Sequence, residues 1–408
     1  MEEFKTYTLE ELSLNKGTYG IAASAVPYDD SKLTYLRITD INDDGTLNTQ
    51  SLMSVDEPNA SDYLLKKNDI VFARTGNSTG RTYFYQGNEC PLVYAGFLIK
   101  FSIDEKKVNP LLLKYYTHSR IYYDWVKSFD TGGTRGNINA KTYGNMPIRI
   151  PASRKTQDKI VDILSSLDEK IALNRRINDN LEQQAQALFK SWFVEKPNPQ
   201  WTKGSLSDIA SFVGGYSYKG DELVDSSNTG MATIKNYNRS GGFKTDGFKA
   251  INPSDKVKNA QYAELFEILV AHTDLTQNAE VIGNAELVLS LGEYNKIIFS
   301  MDLVKVLPSS SFPYRFLIAA MLKNKLFKGH CQGYVNGTTV LHLNKKALPE
   351  YKVMIPTDTE AKKMNEILGG YYKRMSENLK ESDMLEQLRD TILPKLMSGE
   401  LKINDLNC

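Results

Sequence analysis

Apolar residues recur with a 4-3 spacing along two stretches of the chain, and in short β-like runs elsewhere. From Ile160 the series continues through Leu164, Leu167 and Ile171, then Leu181, Ala185, Leu188 and Trp192, with Asn174 and Asn178 standing in the same register. Such a heptad seam predicts one helix of roughly nine turns. Polar residues on a seam specify register at a cost in stability. A second segment offers Met364, Leu368, Tyr371, Met375, Asn378, Leu385 and Ile392. Gly369-Gly370 weakens it by roughly 1 kcal/mol per glycine relative to alanine, so a bend or an imperfect start is expected there.

Ahead of each helical stretch the text is β-like. LTYLRITDI (33–41) leads into the turn-rich NDDGTLN, and DIVFART (69–75) is broken by GNSTGRT before YFYQ resumes. MATIKNY and EILVAHT play these parts later in the chain, with polar loops between. Short strands joined by Gly-, Asn- and Thr-rich loops, with occasional short helices such as 110–120, define an α+β domain rather than a βαβ array.

The two halves repeat. At an offset of 204, Gly133-Thr134 falls on Gly337-Thr338, Ile163-Leu164 on Ile367-Leu368, Asn174 on Asn378 and Leu181 on Leu385. TGGTRGNI (131–138) and VNGTTVL (335–341) each precede a short apolar run ending in Ile-Pro, and then a helix. DIVFART lies over EILVAHT, and FLIKF (97–101) over MDLVKV (301–306). The period is too long for a solenoid; it is a domain plus a connector. Internal pseudo-twofold symmetry makes an antiparallel helix pair the economical arrangement, each helix roughly 50 Å long. The expected layout is a domain over 1–151, a central helix over 152–197, a second domain over 198–356 and a pairing helix over 357–408.

Composition narrows the function. The net charge is +1, and residues 1–150 carry 17 Lys/Arg against 18 Asp/Glu, residues 198–356 17 against 14. That balance favours a weak rather than a tight autonomous binder of nucleic acid. Cys90, Cys331 and Cys408 are too few and scattered for a disulfide framework or a zinc site. The chain has no apolar run of about eighteen residues and no signal-peptide pattern, so no membrane association and a cytoplasmic location are expected. No P-loop, G-x-S-x-G, H-E-x-x-H or G-x-G-x-x-G occurs, and VNPL, INPS and PNPQ lack the second proline of an amino-methyltransferase motif. The four histidines, His118, His272, His330 and His342, show no metal spacing. No catalytic residue and no metal site are assigned.

The whole chain resembles the specificity subunit of type I restriction–modification systems. The likeness rests on GGTRGNI…IRIPASRKTQDKIVDILSSLDEKI and NGTTVLHL…VMIPTDTEAKKMNEIL, with YLRITDI-(x)3-GTL and KKNDIVFARTG as phrases of its recognition domains. The second half departs where Gly369-Gly370 replaces Ser165-Ser166 and where no counterpart of Gln157 appears. The resemblance implies two target-recognition domains, each reading half of a bipartite, asymmetric double-stranded DNA site. It implies that the helix pair acts as a ruler and docks two methyltransferase subunits, with motor-nuclease subunits joining for restriction. It implies no cofactor in this chain; S-adenosylmethionine, ATP and Mg belong to the partners, as does base flipping.

Base edges and phosphates are met by Arg, Lys, Asn, Gln, Ser and Thr. In the loops after the strands the first domain offers Arg74, Asn77, Ser78, Thr79 and Arg81, with Thr131, Thr134 and Arg135. The second offers Asn236, Tyr237, Arg239, His272, Thr273, Gln277 and Asn278, with Tyr334, Asn336 and Thr338. The competing reading is that these are turn residues satisfying their own backbone. The helix seam should comprise Ile160, Leu164, Leu167, Ile171, Leu181 and Leu188 facing Leu368, Met375, Leu385 and Ile392. The functional alternative is a coiled-coil scaffold whose end domains bind proteins; salt-dependent binding to a split duplex site separates the two. A self-contained nuclease or methyltransferase is a third reading, against which the missing motifs speak.

Overall fold

The computed structural model describes residues 3–87, 90–129, 137–238, 241–274, 278–338 and 340–401. They form two compact units, one of residues 1–169 with 385–408, the other of residues 170–384.

In the first unit an antiparallel sheet has the order Thr18–Tyr19, Leu98–Ser102, Asp69–Ala73, Thr82–Tyr85. A second sheet runs Ala25–Val26, Met53–Val55, Leu33–Leu36, Leu92–Tyr94, its last pair parallel. The second unit repeats the first sheet in full, as Ala210–Gly214, Leu303–Pro308, Ile268–Ala271, Ala285–Leu287; its second sheet, Lys249–Ala250, Thr229–Ala232, Lys296–Phe299, Tyr262–Ala263, shares three strands including the parallel pair and adds its fourth on the other edge. The shared strand order gives the hydrophobic half of the sequence repeat a structural meaning. The LTYLRITDI run is split, however: the strand stops at Leu36 and Ile38–Asp40 turns as a 3-10 helix, because Asp40 caps Arg37 N and its guanidinium.

Each unit closes on itself. Phe4–Thr8 pairs antiparallel with Pro147–Pro151, and Thr202–Ser205 with Lys352–Ile355, the two Ile-Pro strands. Immediately after them begin the long helices, Arg154–Phe189 and Asp358–Ser398. Gln157 is buried at the first helix start, where its amide donates to Pro151 O (2.8 Å) and accepts from Asn109 N (2.9 Å). At the second start Ala361 fills the matching position, and Glu360 takes over the anchoring by accepting from Trp201 Nε1 (2.8 Å) and Asn198 Nδ2 (3.1 Å). That exchange is the physical content of the missing glutamine.

The seam lies largely where the 4-3 spacing puts it. In the first unit Ile160 and Leu164 join a core that also holds Leu393, Leu396 and Met397, with Ile392 half-buried beside them. Leu167 and Leu385 are half-buried. Here Asp168 meets Lys114 (2.8 Å) and Arg389 (3.1 Å). Burial alone would raise its pKa, but these two cations outweigh it and hold the carboxyl below its ordinary value. A depressed carboxyl adds stability that is present above its ordinary pKa near 3.8 and lost as pH falls through the lower folded value. Asp168→Asn is therefore expected to flatten the acid limb of a pH–stability profile below about pH 4.

In the second unit Ile171, Ala185, Leu368, Tyr372 and Met375 are buried, with Leu181 and Leu188 half-buried. The buried tyrosine is Tyr372 rather than Tyr371, since it follows Leu368 by four and stacks on Phe316. The helix shows no break at Gly369-Gly370: a Cβ on Gly369 would stand 2.9 Å from the Phe316 ring, so the glycine serves packing and the helix runs on. Asn174, Asn178 and Asn378 are all buried. Asn378 Nδ2 donates to Asn178 Oδ1 (2.8 Å), Asn178 Nδ2 to Met375 O (3.2 Å) and Asn174 Nδ2 to Ser382 Oγ (3.3 Å). The pairing of later residues on one helix with earlier ones on the other makes the two antiparallel here. Asn378→Ala would leave Asn178 Oδ1 buried without its donor, and urea unfolding should show a loss of about 1–3 kcal/mol.

Candidate DNA-reading loops

The loops that matter are those leaving the central strand of each antiparallel sheet. In the first unit this strand ends at Ala73, and Arg74 follows with both backbone groups fixed: its N–H donates to Phe97 O (3.1 Å) and its carbonyl accepts from Ile138 N (3.0 Å). The guanidinium carbon stands 5.1 Å from the centre of the Tyr19 ring. Gly76 at φ 75° and Gly80 at φ 89° then turn the chain; a Cβ on Gly80 would also come 2.7 Å from Val126. Under the loop lies an aromatic cluster. Tyr143 donates to Ala73 O (2.9 Å) and Tyr122 to Gly80 O (2.7 Å), and burial pushes both phenols up in pKa.

This local geometry sorts the predicted readers. Arg74 is half-buried with its head on Tyr19, and Asn77 is exposed. Ser78 is buried, and its carbonyl accepts from Arg81 N, so it belongs to the turn. The Thr79 hydroxyl donates to Gly76 O (2.8 Å). Arg81 stands 2.6 Å from Asp43 and donates to Ile41 O (3.2 Å), which commits it to bracing the 41–43 segment. Thr131, Thr134 and Arg135 lie outside the described residues.

In the second unit the matching strand ends at Ala271. His272 is half-buried, and its N–H donates to Asp302 O (2.8 Å). Its pKa is lowered by burial, with the neighbouring His342 and Lys345 acting in the same direction. Thr273 is buried and its hydroxyl donates to Asp302 Oδ1 (2.8 Å). Asn278, Asn336 and Thr338 are exposed. Tyr334 donates to Glu350 (2.7 Å) and packs on His330. Gly337, at φ 116°, leaves no room for a Cβ, which would meet Val340 O at 2.3 Å.

Two assignments are corrected. Asn236 is fully buried, accepting from Thr233 N (2.8 Å) and donating to Lys244 O (2.7 Å); both ends of its amide close its own loop. Tyr237 is a core residue packed edge-on against Phe243, and burial holds its phenol far above its ordinary pKa. Arg239 and Gln277 lie outside the described residues. Phe97 and Asp302, the backbone partners of Arg74 and His272, open the runs FLIKF and DLVKV and were not among the predicted readers. No group of His, Cys, Asp and Glu among the described residues could hold a metal.

The fold is thus a duplicated α+β unit, each copy offering a polar loop at the same strand end. The chain belongs to the family described as the type I restriction modification DNA specificity domain, whose model matches residues 1–183 and again 198–387. It is 29% identical over 213 residues to the specificity subunit of the HindI type I restriction enzyme of Haemophilus influenzae; that match covers 51% of this chain and 44% of the subunit, less than half of its length. It is 23% identical over 315 residues to the MjaIX specificity subunit of Methanocaldococcus jannaschii, covering 72% and 69%. Its fold is similar to that of the S subunit of a type I restriction–modification system from M. genitalium, with a TM-score of 0.53 and 17% identity over 97% of this chain and 96% of that one. No helix among the described residues is long and apolar enough to cross a membrane.

Proposed function

We propose that this chain is a noncatalytic DNA-specificity subunit in which each unit reads one half of a split, asymmetric duplex site. The observation that carries the reading is the duplication itself: one strand order in the antiparallel sheet and one loop position, with Arg74 and Asn77 displayed in the first unit and His272 and Asn278 in the second. Equal scaffolds with unequal side chains suit a site of two unlike halves. Asn336 and Thr338, exposed at the turn between the strands Val335–Asn336 and Leu341–Leu343, add donors and acceptors for bases or phosphates. The recognition domains are taken as 1–151 and 198–356, with the helices over 152–197 and 357–408 as the connector.

The helices of 36 and 41 residues are about 54 and 60 Å long, enough to set a spacing of about one duplex turn, ~34 Å, between half-sites. Their outer faces would dock two methyltransferase subunits, which bring S-adenosylmethionine; motor-nuclease subunits would bring ATP and Mg. Removing one heptad from both helices should change the preferred spacer and leave both half-sites as they are.

The test is genome-wide mapping of methylated adenine in cells with and without this chain, its methyltransferase partner present. A bipartite motif that loses methylation with the chain supports the reading. Unchanged methylation, with no salt-dependent binding of the purified complex to a split duplex, would favour a protein-binding scaffold.

A further inference from the structure

Backbone hydrogen bonds align the two units residue for residue at the end of the antiparallel sheet. In the first, Leu98 N donates to Ala95 O (2.8 Å), Arg74 N to Phe97 O (3.1 Å) and Ile138 N to Arg74 O (3.0 Å). In the second, Leu303 N donates to Ser300 O (2.9 Å), His272 N to Asp302 O (2.8 Å) and Leu343 N to His272 O (2.8 Å). Arg74 therefore corresponds to His272, and Phe97 to Asp302. The register leads up to both: Ala73 pairs with Leu98, and Ala271 with Leu303. Directly opposed residues of antiparallel strands project from the same face, so each unit shows one cross-strand pair at its strand exit.

The two pairs carry different chemistry. In the first unit Phe97 is 58% exposed beside Arg74, whose guanidinium rests on the half-exposed Tyr19 ring. Arg74 Nε is shut off from water and meets no acceptor among the described residues. In the second unit the Asp302 carboxylate is fixed by the hydroxyls of Thr273 (2.8 Å) and Ser300 (3.2 Å), with Met301 57% exposed next to it. A carboxylate keeps lone pairs beyond two such bonds. Phosphates repel a carboxylate, whereas a base-edge amino group can donate to one.

We propose that this cross-strand pair is a specificity-determining position in each unit: Arg74 with Phe97 meets a guanine and an adjoining thymine methyl, and Asp302 accepts from the amino group of a cytosine or adenine. The proposal rests on the DNA-reading function given above. A planar guanidinium held against an aromatic ring is oriented for the paired O6 and N7 acceptors of guanine, and an exposed phenyl ring suits a C5 methyl. Asp302, acceptor-only, rejects guanine at its position by the same rule.

The experiment compares adenine methylation motifs written by the full complex carrying the wild-type chain, Asp302→Asn, Asp302→Glu or Phe97→Ala. Asp302→Asn should shift the preferred base at one position of one half-site and slow methylation of the original site about tenfold or more, the other half-site unaltered. Phe97→Ala should relax the opposite half-site alone. Asp302→Glu keeps the carboxylate and should keep the base preference, which separates its charge from any effect on folding. Unchanged preferences in a complex that still methylates, or equal loss at both half-sites, would overturn the proposal while leaving the specificity function in place. A wild-type complex whose methylation does not depend on this chain would overturn that function, and the proposal with it.

Discussion

Lys323→Met is expected to cost the second unit about 3–5 kcal/mol, read as a lower urea midpoint at unchanged slope. Lys323 follows the helix Arg315–Leu322, and its ammonium is bonded to Glu286 and stands 3.3 Å from Glu182 on the central helix, with the Tyr372 ring 5.9 Å away. The other Glu286 oxygen accepts from Gly242 N (2.6 Å), which ties the cluster to the loop after Tyr237. Burial by itself would lower the lysine pKa; Glu182 and Glu286 outweigh it and hold it above the ordinary 10.5. A raised group gives stability that is complete below its ordinary pKa and lost only as pH climbs through the folded value. The wild-type chain therefore keeps this contribution across the neutral range and sheds it above about pH 10.5. Without the cation two carboxylates face each other in a dry site, so the deficit of the variant should narrow on acidification. A deficit independent of pH would show that lost packing, not lost charge, is what matters there.

Phe72→Ala should remove about 3–5 kcal/mol from the first unit. The ring is fully buried. It packs 4.7 Å from Tyr143, 5.8 Å edge-on from Phe101 and 6.4 Å from Tyr122. The two tyrosines hold the carbonyls at either side of the Arg74 loop, so a cavity here loosens the loop as well as the core. Tyr143→Phe is the milder companion: it keeps the ring and deletes one hydrogen bond, for about 0.5–1.5 kcal/mol. The ratio of the two losses, from chemical denaturation, distinguishes packing from loop anchoring. Comparable losses would mean that the phenol, rather than the cavity, governs this corner.

Local periodicity made the helices legible. Ile160, Leu164 and Ile171 are buried because a 3.6-residue turn brings every third or fourth residue to one face, and Asn174 and Asn378 share that face for the same reason. The repeat made the domain plan legible, since equal strand orders leave equal hydrophobic runs. The loops were read less well. Asn236 looks like a reader in the sequence because its chemistry is that of a reader, yet the same amide closes a turn equally well, and only burial tells the two uses apart. Tyr237 shows the same ambiguity for an aromatic ring. That Phe97 and Asp302 stand beside Arg74 and His272 could not be read, because these partners lie 23 and 30 positions away. The Lys323 cluster was invisible for a like reason: Glu182 precedes it by 141 residues.

Leu393, Leu396 and Met397 complete the core of the unit that begins with the first strand, and Arg149 donates to Ser398 O across 249 residues. On a ribosome those two parts of the core are separated by the synthesis of the whole second unit. The first unit can start to fold early, but it must wait, with part of its apolar surface open, until the second unit has been translated. The unit begun before its neighbour is thus completed after it, and a chain cut before Leu393 would be faulty in the unit that holds Phe72, far in sequence from the cut.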